Sequence, residues 1–186
     1  MGLPKLYILR HGETEWNVQG RMQGALDSPL TVKGQAQARA QCDILKRELC
    51  TDMQWVSSPM GRAVETAKIA MDGFDATLTI DARLREIEMG DWTGKTRVEI
   101  LTKRPDLPGL SFYDAAPGGE GITLLTQRMQ AFLEQLQAPS VLITHGITSR
   151  ILRCLATGRD PAQFDEIGGG QGIVYQVETG HQQMLQ

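Results

Sequence analysis

Two of the three histidines stand where a short apolar run ends, and each is followed directly by glycine. His11 follows the run 6–9, and His145 follows the run 141–143. Such short apolar runs predict buried strands. Because ligands bind beyond the carboxyl ends of strands in open α/β sheets, we expect both histidines at one edge of a sheet.

Two arginines accompany the histidines. Arg10 directly precedes His11, and Arg62 falls in the first turn of a predicted helix, where a cation is disfavoured unless an anion lies nearby. Guanidinium groups match phosphate oxygens bidentately, and a neutral imidazole can attack phosphorus to form phosphohistidine. Taken singly, a structural histidine or a solvent-facing arginine is the plainer interpretation. The four together predict a site for a phosphoryl group.

Patterns for other phosphate chemistry are missing from the sequence. The two histidines have no partner His or Cys at a metal-ligand spacing, and no GxxxxGK[ST] loop occurs. We therefore expect a reaction without a metal ion or a cofactor. Backbone amides at the starts of the helices after Pro59 and Gly146 are expected to add donors for the anion.

The elements that must position these side chains alternate between strands and helices. Strands are predicted at 6–9, 55–57, 78–80 and 141–143, with a terminal hairpin at 172–178 and 182–185. Helices are predicted from a Thr31 N-cap to about 49, from Ser58-Pro59 to about 71, and at 96–103, 121–137 and 146–156. Loops are predicted at 17–29 and 105–119. The pattern predicts one domain over residues 1–186, a three-layer α/β/α sandwich with a mainly parallel sheet.

The net charge, the apolar segments and the cysteines of the chain argue against several classes of protein. The net charge of −3 argues against nonspecific binding of nucleic acid, which needs a basic surplus. No signal-like segment and no apolar stretch of roughly 18 residues is present, so we expect a cytoplasmic protein without a membrane partner. Cys42, Cys50 and Cys154 form no CxxC pair and are expected to be reduced and buried.

A series of motifs around these residues resembles the histidine phosphatase superfamily, the phosphoglycerate mutase-like proteins. In chain order the motifs are Leu6-Tyr7-Ile8-Leu9-Arg10-His11-Gly12-Glu13-Thr14, Trp16-Asn17, Gly20-Arg21-Met22-Gln23-Gly24, Asp27-Ser28-Pro29-Leu30-Thr31, Ser57-Ser58-Pro59, Arg62-Ala63, Glu65-Thr66-Ala67, Leu84-Arg85-Glu86-Ile87, Gly90-Asp91-Trp92-Thr93-Gly94, Pro117-Gly118-Gly119-Glu120 and Thr144-His145-Gly146. The chain departs from the family at Gly121, where Ser is common, and in being shorter than cofactor-dependent mutases. The resemblance implies a phosphoglycerate mutase-like fold.

The resemblance also implies roles for individual residues. His11 would be the phosphorylated nucleophile, and the phosphate pocket would be completed by Arg10, Arg62 and His145. Further residues of the substrate pocket would be Asn17, Gln23, Gly24 and Gly146. For Asn17, Gln23 and Gly24, plain turn chemistry is the alternative interpretation. His181 matches nothing in the family pattern and is expected at the surface.

A carboxyl group completes the implied site. Glu86 would protonate the leaving oxygen and later activate water. From the residues alone, Glu88 is an equal candidate for this acid. Glu86 is preferred because it stands on the family's acid position, four residues before Gly90.

These assignments predict a two-step phosphatase that acts on a small phosphorylated metabolite. One alternative is a cofactor-dependent phosphoglycerate mutase with the same residues, which the short chain disfavours, and another is a catalytically silent phospho-ligand binding module. Segment 95–116 is the expected lid. This segment contains three basic residues, Arg97, Lys103 and Arg104. They either contact a second anionic group of the substrate or form a solvated basic face of a helix. The substrate and the oligomeric state stay open.

Overall fold

The computed structural model describes residues 2–49, 53–107 and 110–186. Its strands are β1 (Leu6–Arg10), β2 (Gln54–Ser57), β3 (Leu78–Ile80), β4 (Ser140–Thr144), β5 (Val174–Glu178) and β6 (His181–Leu185). They form one sheet with the order β3-β2-β4-β1-β5-β6. Strands β1 to β4 run parallel to one another, whereas β5 is antiparallel to β1 and to β6. The prediction of a mainly parallel sheet is thus confirmed.

The helices follow the strands as a parallel sheet requires. The α-helices of the described residues are α1 (Glu15–Val18), α2 (Val32–Glu48), α3 (Gly61–Ala70), α4 (Arg97–Lys103), α5 (Leu110–Asp114), α6 (Gly121–Gln135) and α7 (Gly146–Ala156). Short 3₁₀ segments cover Ala82–Leu84, Gly90–Trp92 and Pro161–Glu166. The Thr31 N-cap is confirmed, because its hydroxyl oxygen accepts the Gly34 amide at 3.0 Å.

Alternating side chains of the central strands divide the core into two layers. Leu6 and Ile8 of β1 pack into a cluster with residues of α6 and α7, while Tyr7 and Leu9 pack into a second cluster with residues of α2 and α3. Since successive strand residues point to opposite faces, this alternation places helices on both sides of the sheet. The expected three-layer sandwich is confirmed.

A close backbone contact fixes the loop that leaves β1. A Cβ atom on Gly12 would lie 2.2 Å from the carbonyl oxygen of Gly34, and one on Gly34 would lie 2.0 Å from the carbonyl oxygen of Glu13. Only glycine permits such an approach at these positions. The start of α2 therefore packs directly against the residues that follow His11.

Helix α3 begins later than the sequence suggests. Ser58 was the expected cap with Pro59 as the first helical residue, but the helix begins at Gly61 with Met60 as its N-cap. The hydroxyl group of Ser58 contacts His145 and accepts the amide of Met60, which lies before the helix. The amides of the first two helical residues donate to the carboxylate of Asp27, from another loop. The first amides of α3 are thus satisfied by a residue distant in sequence, and not by the local Ser58-Pro59 signal.

Two predicted loops contain helical turns. Segment 105–119 includes α5, in which Phe112 and Tyr113 are buried in the core, and segment 17–29 begins within the last turn of α1. Phe112 and Tyr113 gain their burial from distant parts of the chain, and helix propensity alone does not reveal this in a Pro- and Gly-rich stretch.

Cys42 and Cys154 are buried free thiols, as expected, whereas Cys50 lies outside the described residues. Across the parts of the chain that the structure describes, none of the helices has the length and apolar character needed to span a membrane.

Candidate active site

The carboxyl ends of β1 and β4 place the two expected histidines side by side. Arg10 pairs with Thr144 in the parallel register, so His11 and His145 leave the sheet at the same level. Their ring centroids are 5.1 Å apart, and both side chains are buried. The two histidines lie close together because β1 and β4 are neighbouring parallel strands.

A pocket of about 270 Å³ lies beside His11. The residues expected from the sequence that line it are Arg10, His11, Asn17, Gln23, Gly24, Arg62, Glu86 and Gly146. His145 is fully buried next to His11 and does not form part of the wall. The structure thus brings the whole expected set together.

The hydrogen bond of His11 fixes its tautomer. Its Nδ1 lies 2.7 Å from the carbonyl oxygen of Gly12. A carbonyl oxygen only accepts, so Nδ1 carries the proton and Nε2 keeps its lone pair. Burial lowers the pKa of His11 well below its ordinary value, and the nearby cations Arg10 and Arg62 lower it further. His11 is therefore neutral, with an unprotonated Nε2.

Arg62 is anchored by the loop after α1. Its guanidinium donates to Asp27 Oδ1 at 2.8 Å, to the carbonyl oxygen of Leu26 at 2.6 Å and to that of Gly24 at 3.1 Å. Asp27 is the anion that a cation in this helix turn requires. The Gly61 and Arg62 amides also donate to Asp27, so the expectation that they serve a bound anion is wrong.

Buried nitrogen atoms without a hydrogen-bond partner remain in the site. Among the described residues, Arg10 Nε, Arg62 Nε and His145 Nδ1 are buried and make no hydrogen bond. Burial lowers the pKa of Arg10, while the carboxylate of Glu86 opposes this shift. Since buried polar atoms normally have partners, the two guanidinium nitrogens fit an anionic ligand with several acceptor oxygens.

The carboxylate of Glu86 is held at the N-terminus of α7. Its Oε1 accepts the Thr148 amide at 3.0 Å and the Ile87 amide at 3.1 Å. The single hydrogen of the Thr148 hydroxyl is shared between this oxygen and the carbonyl oxygen of Arg85, each 2.9 Å away. The Oε2 of Glu86 accepts only the Ile147 amide, at 3.2 Å. The amides expected to bind the anion after Gly146 therefore bind this side chain instead, and that expectation is corrected for Ile147 and Thr148.

The alternative acid, Glu88, lies outside the pocket. Its carboxylate pairs with Arg85 at 3.3 Å, and its side chain is partly exposed. Glu86 lines the pocket, and a Cβ on Gly146 would lie 3.6 Å from its Oε2. Of the two carboxylates, the geometry therefore favours Glu86 for contact with a ligand.

The loop residues of the site combine pocket and turn positions. Asn17 forms the capping box of α1 with Thr14, and its Oδ1 also accepts from Gln171 at 3.2 Å. Gln23 donates to the Thr14 hydroxyl at 2.8 Å, which leaves its buried Oε1 without a partner. Gly24 adopts a positive φ of 49°. Turn chemistry thus applies to all three, although each also lines the pocket.

Further residues line the pocket that the sequence did not single out as site residues, although Arg21, Met22 and Tyr113 fall in the two segments, 17–30 and 95–116, expected to build the pocket beyond the phosphate. They are Arg21, Met22, Ile87, Met89, Tyr113, Ile147 and Arg150. Arg150 is four residues after Gly146 on α7, so helical spacing would have placed it on the same face. Four arginines and one glutamate line a pocket in a protein whose net charge is −3, which concentrates positive potential at this site.

Segment 95–116 reaches the pocket only through Tyr113 among its described residues. The guanidinium of Arg97 lies 4.1 Å from the centre of the Phe112 ring, and Arg104 pairs with Asp106 at 2.9 Å. Lys103 and Arg104 line a separate groove. Arg97, Lys103 and Arg104 are therefore absent from the pocket wall. His181 is exposed on β6, as expected.

Comparison with known proteins agrees with this geometry. The Histidine phosphatase superfamily (branch 1) model matches residues 6–185. The Salmonella choleraesuis protein named "Probable phosphoglycerate mutase GpmB" is 36% identical over 163 residues, which are 82% of this chain and 73% of that protein.

Solved structures show the same fold. The mycobacterial glucosyl-3-phosphoglycerate phosphatase, in complexes with VO3, superposes with a TM-score of 0.82 and 28% identity, covering 97% of this chain and 96% of that one. Bacillus stearothermophilus YhfR superposes with a TM-score of 0.78 and 31% identity, covering 92% and 89% of the two chains.

Proposed function

The chain belongs to the histidine phosphatase superfamily, and we propose that it hydrolyses small phosphomonoesters through a phosphohistidine intermediate on His11. The observation that carries this proposal is the state of His11: neutral, protonated on Nδ1 and free on Nε2. A nucleophile needs an available lone pair, and the fixed tautomer supplies it. The unpartnered guanidinium nitrogens of Arg10 and Arg62 would bind the phosphoryl oxygens.

In the first step, Nε2 of His11 attacks phosphorus, forming a P–N bond as the ester P–O bond breaks. For this step Glu86 takes up a proton as the anionic ester binds beside it, and it passes this proton to the leaving alkoxide, so that a neutral alcohol departs. Oε2 is the better placed oxygen for this transfer, because Oε1 accepts two backbone amides and Oε2 accepts one. Arg10, Arg62 and His145 would stabilise the charge on the transferring group.

In the second step, water attacks the phosphorus of phosphohistidine. Its proton passes to the carboxylate of Glu86, and the P–N electron pair returns to Nε2 of His11. Inorganic phosphate leaves, and the starting protonation states of both residues are restored. Glu86 thus acts as an acid in one step and as a base in the other.

A phosphoglycerate mutase is the second candidate, favoured by the name of the Salmonella relative. It would use the same residues but return the phosphoryl group to a phosphoglycerate. The phosphatase is preferred because a neighbour named as a phosphatase matches nearly the full length of both chains. Release of phosphate measured beside the interconversion of 2- and 3-phosphoglycerate separates the two candidates.

The intermediate provides the direct test. Rapid quenching with an aryl phosphate should yield an acid-labile phosphate on His11, mapped by mass spectrometry, and His11→Asn should abolish both the label and turnover. His181→Asn is the matched control, because His181 is exposed and lies outside the pocket. Absence of the label with a panel of phosphorylated metabolites would instead support a silent binding module.

A further inference from the structure

We infer that Ser58 is a positioning residue that fixes the imidazole proton of His145 on Nδ1, which makes His145 a neutral N–H donor to the phosphoryl group. The tautomer stands on the structure alone, whereas the donor role rests on the proposed function. Ser58 directly follows β2, the strand next to β4, and is fully buried. Its Oγ lies 2.7 Å from His145 Nε2.

The hydrogen count at Ser58 decides which group donates in this contact. Its Oγ has two partners among the described residues, the Met60 amide at 3.3 Å and His145 Nε2. An amide N–H only donates, so the single hydroxyl hydrogen has Nε2 as its acceptor. The opposite arrangement would leave that hydrogen buried without an acceptor.

The ring of His145 then has one place left for its proton. Burial lowers its pKa well below the ordinary value, and the charges of Arg62, Arg10 and Arg128 lower it further, so the ring is neutral. A neutral imidazole carries one proton, and with Nε2 accepting, that proton sits on Nδ1. Nδ1 is buried and has no partner within the described part of the protein.

The position of this proton decides the sign of the interaction with an anion. An N–H on Nδ1 attracts a phosphoryl oxygen, whereas a lone pair there would repel it. Because the rings of His11 and His145 are 5.1 Å apart, a phosphoryl group carried on His11 would come close to this donor. Ser58 would thus act on the reaction through His145, without contacting the substrate.

The tautomer can be read directly by long-range ¹H–¹⁵N NMR of the full chain, which has three histidines. We expect Nδ1 of His145 to be protonated and Nε2 to be unprotonated in the wild type. Ser58→Ala should move the proton to Nε2, and Ser58→Thr, which keeps the hydroxyl, should restore it to Nδ1. An Nε2 proton in the wild type, or an unchanged spectrum in Ser58→Ala, would overturn the inference.

Ser57→Ala is the matched control. Ser57 is equally buried at the end of β2, but its hydroxyl donates to the carbonyl oxygen of Ser58 at 3.0 Å and not to His145. Its loss should leave the His145 spectrum unchanged. Thermal unfolding of all three variants verifies that each is folded, and Ser58→Thr keeps the inference testable if Ser58→Ala is not.

Binding of inorganic phosphate, measured by calorimetry, tests the donor role. We expect Ser58→Ala to weaken the Kd about tenfold, the effect of one hydrogen bond to a charged group, and Ser57→Ala to leave it unchanged. An unchanged Kd in Ser58→Ala despite a moved proton would overturn the donor role. Wild type that shows the Nδ1 proton but binds no phosphate would contradict the proposed function and leave the tautomer standing.

Discussion

The N-termini of α3 and α7 each bind a carboxylate that comes from a loop elsewhere in the chain. At α3, Asp27 accepts the amides of Gly61 and Arg62 and also pairs with the Arg62 guanidinium. At α7, Glu86 accepts the amides of Ile147 and Thr148. The same capping contact therefore serves two arrangements, one that immobilises a cation and one that presents an acid.

The two helix N-termini differ in what each carboxylate contacts besides the helix amides. Asp27 lies outside the pocket, and its charge is balanced by Arg62. Glu86 lines the pocket, and its Oε2 has one amide donor. A helix N-terminus thus fixes charged side chains around this site rather than contacting the ligand through those amides. Substitutions at the N-terminus of α7 should mainly change the rate of the reaction, whereas substitutions at the N-terminus of α3 should mainly change stability and substrate binding.

The largest effect is expected for Glu86→Gln, which keeps an acceptor for the α7 amides but has no acidic proton. Turnover of an alkyl phosphomonoester should fall by roughly 10²–10⁴-fold. The phosphohistidine should still form from an aryl phosphate, whose leaving group needs no proton. Steady-state and quench measurements with the two esters check this, and an unchanged alkyl rate would show that Glu86 is not the acid.

Lowering the pH should destabilise the protein through the histidines near α7, one of which, His145, is the N-cap of this helix. His11 and His145 both have pKa values lowered by burial, so between their folded values and about 6.5 the unfolded chain binds more protons. Stability is therefore fully present above pH 6.5 and declines below it, by about 1.4 kcal/mol per pH unit for each histidine.

Urea unfolding between pH 7.5 and 5 measures this slope. His145→Asn should reduce the slope, because one of the two buried groups is then missing. His181→Asn, at an exposed site, serves as the control and should keep the wild-type slope. A slope that is the same in all three proteins would contradict a neutral, buried His145.

Substitution of Asp27 at the N-terminus of α3 should affect stability and substrate binding more than kcat. Asp27→Ala removes the acceptor of two helix amides and the partner of Arg62, so we expect a loss of about 1–2 kcal/mol in the free energy of unfolding. The KM for a phosphomonoester should rise more than kcat falls, because Arg62 loses its anchor. Asp27→Asn keeps an amide acceptor and should recover part of the stability but less of the KM.

The smallest effect is expected for Thr148→Val at the α7 end. The variant keeps the backbone amide on Glu86 and removes the hydroxyl that lies between Glu86 Oε1 and the carbonyl oxygen of Arg85. We therefore expect stability to fall by about 1 kcal/mol and kcat to fall severalfold. Thr157→Val is the control, since its hydroxyl donates to helix carbonyls at the far end of α7. Equal losses of kcat in both variants would show that the Thr148 hydroxyl has no specific effect on Glu86.

The sequence predicts the features of this site that depend on residues close in the chain, but not those that depend on contacts between distant residues. His11 and His145 could be placed at one sheet edge because their apolar runs predict buried strands, whereas the adjacency of those strands is visible only in the structure. The Thr31 cap could be predicted because its partner is three residues away. The preference for Glu86 over Glu88 needed the family resemblance, since alternation alone does not say which carboxylate faces the pocket.

The residues that were missed act across long stretches of chain. Asp27 meets α3 after 34 residues, and Ser58 meets His145 after 87. Neither pairing leaves a periodic signal, because each depends on how loops from different strands come together over the same sheet edge. Arg150 was recoverable from helix spacing, and Tyr113 was not, because its helix lies in a segment with loop composition.

The contact between Gly12 and Gly34 has a consequence for attempts to redirect the enzyme to new substrates. Those two positions leave no room for a side chain, so a mutational library that includes them would mostly unfold or misplace His11. Met22, Met89 and Ile147 line the same pocket with apolar side chains and take no part in that contact. Diversity confined to this apolar wall should therefore change the shape of the pocket without disturbing the backbone contact that fixes the loop after His11.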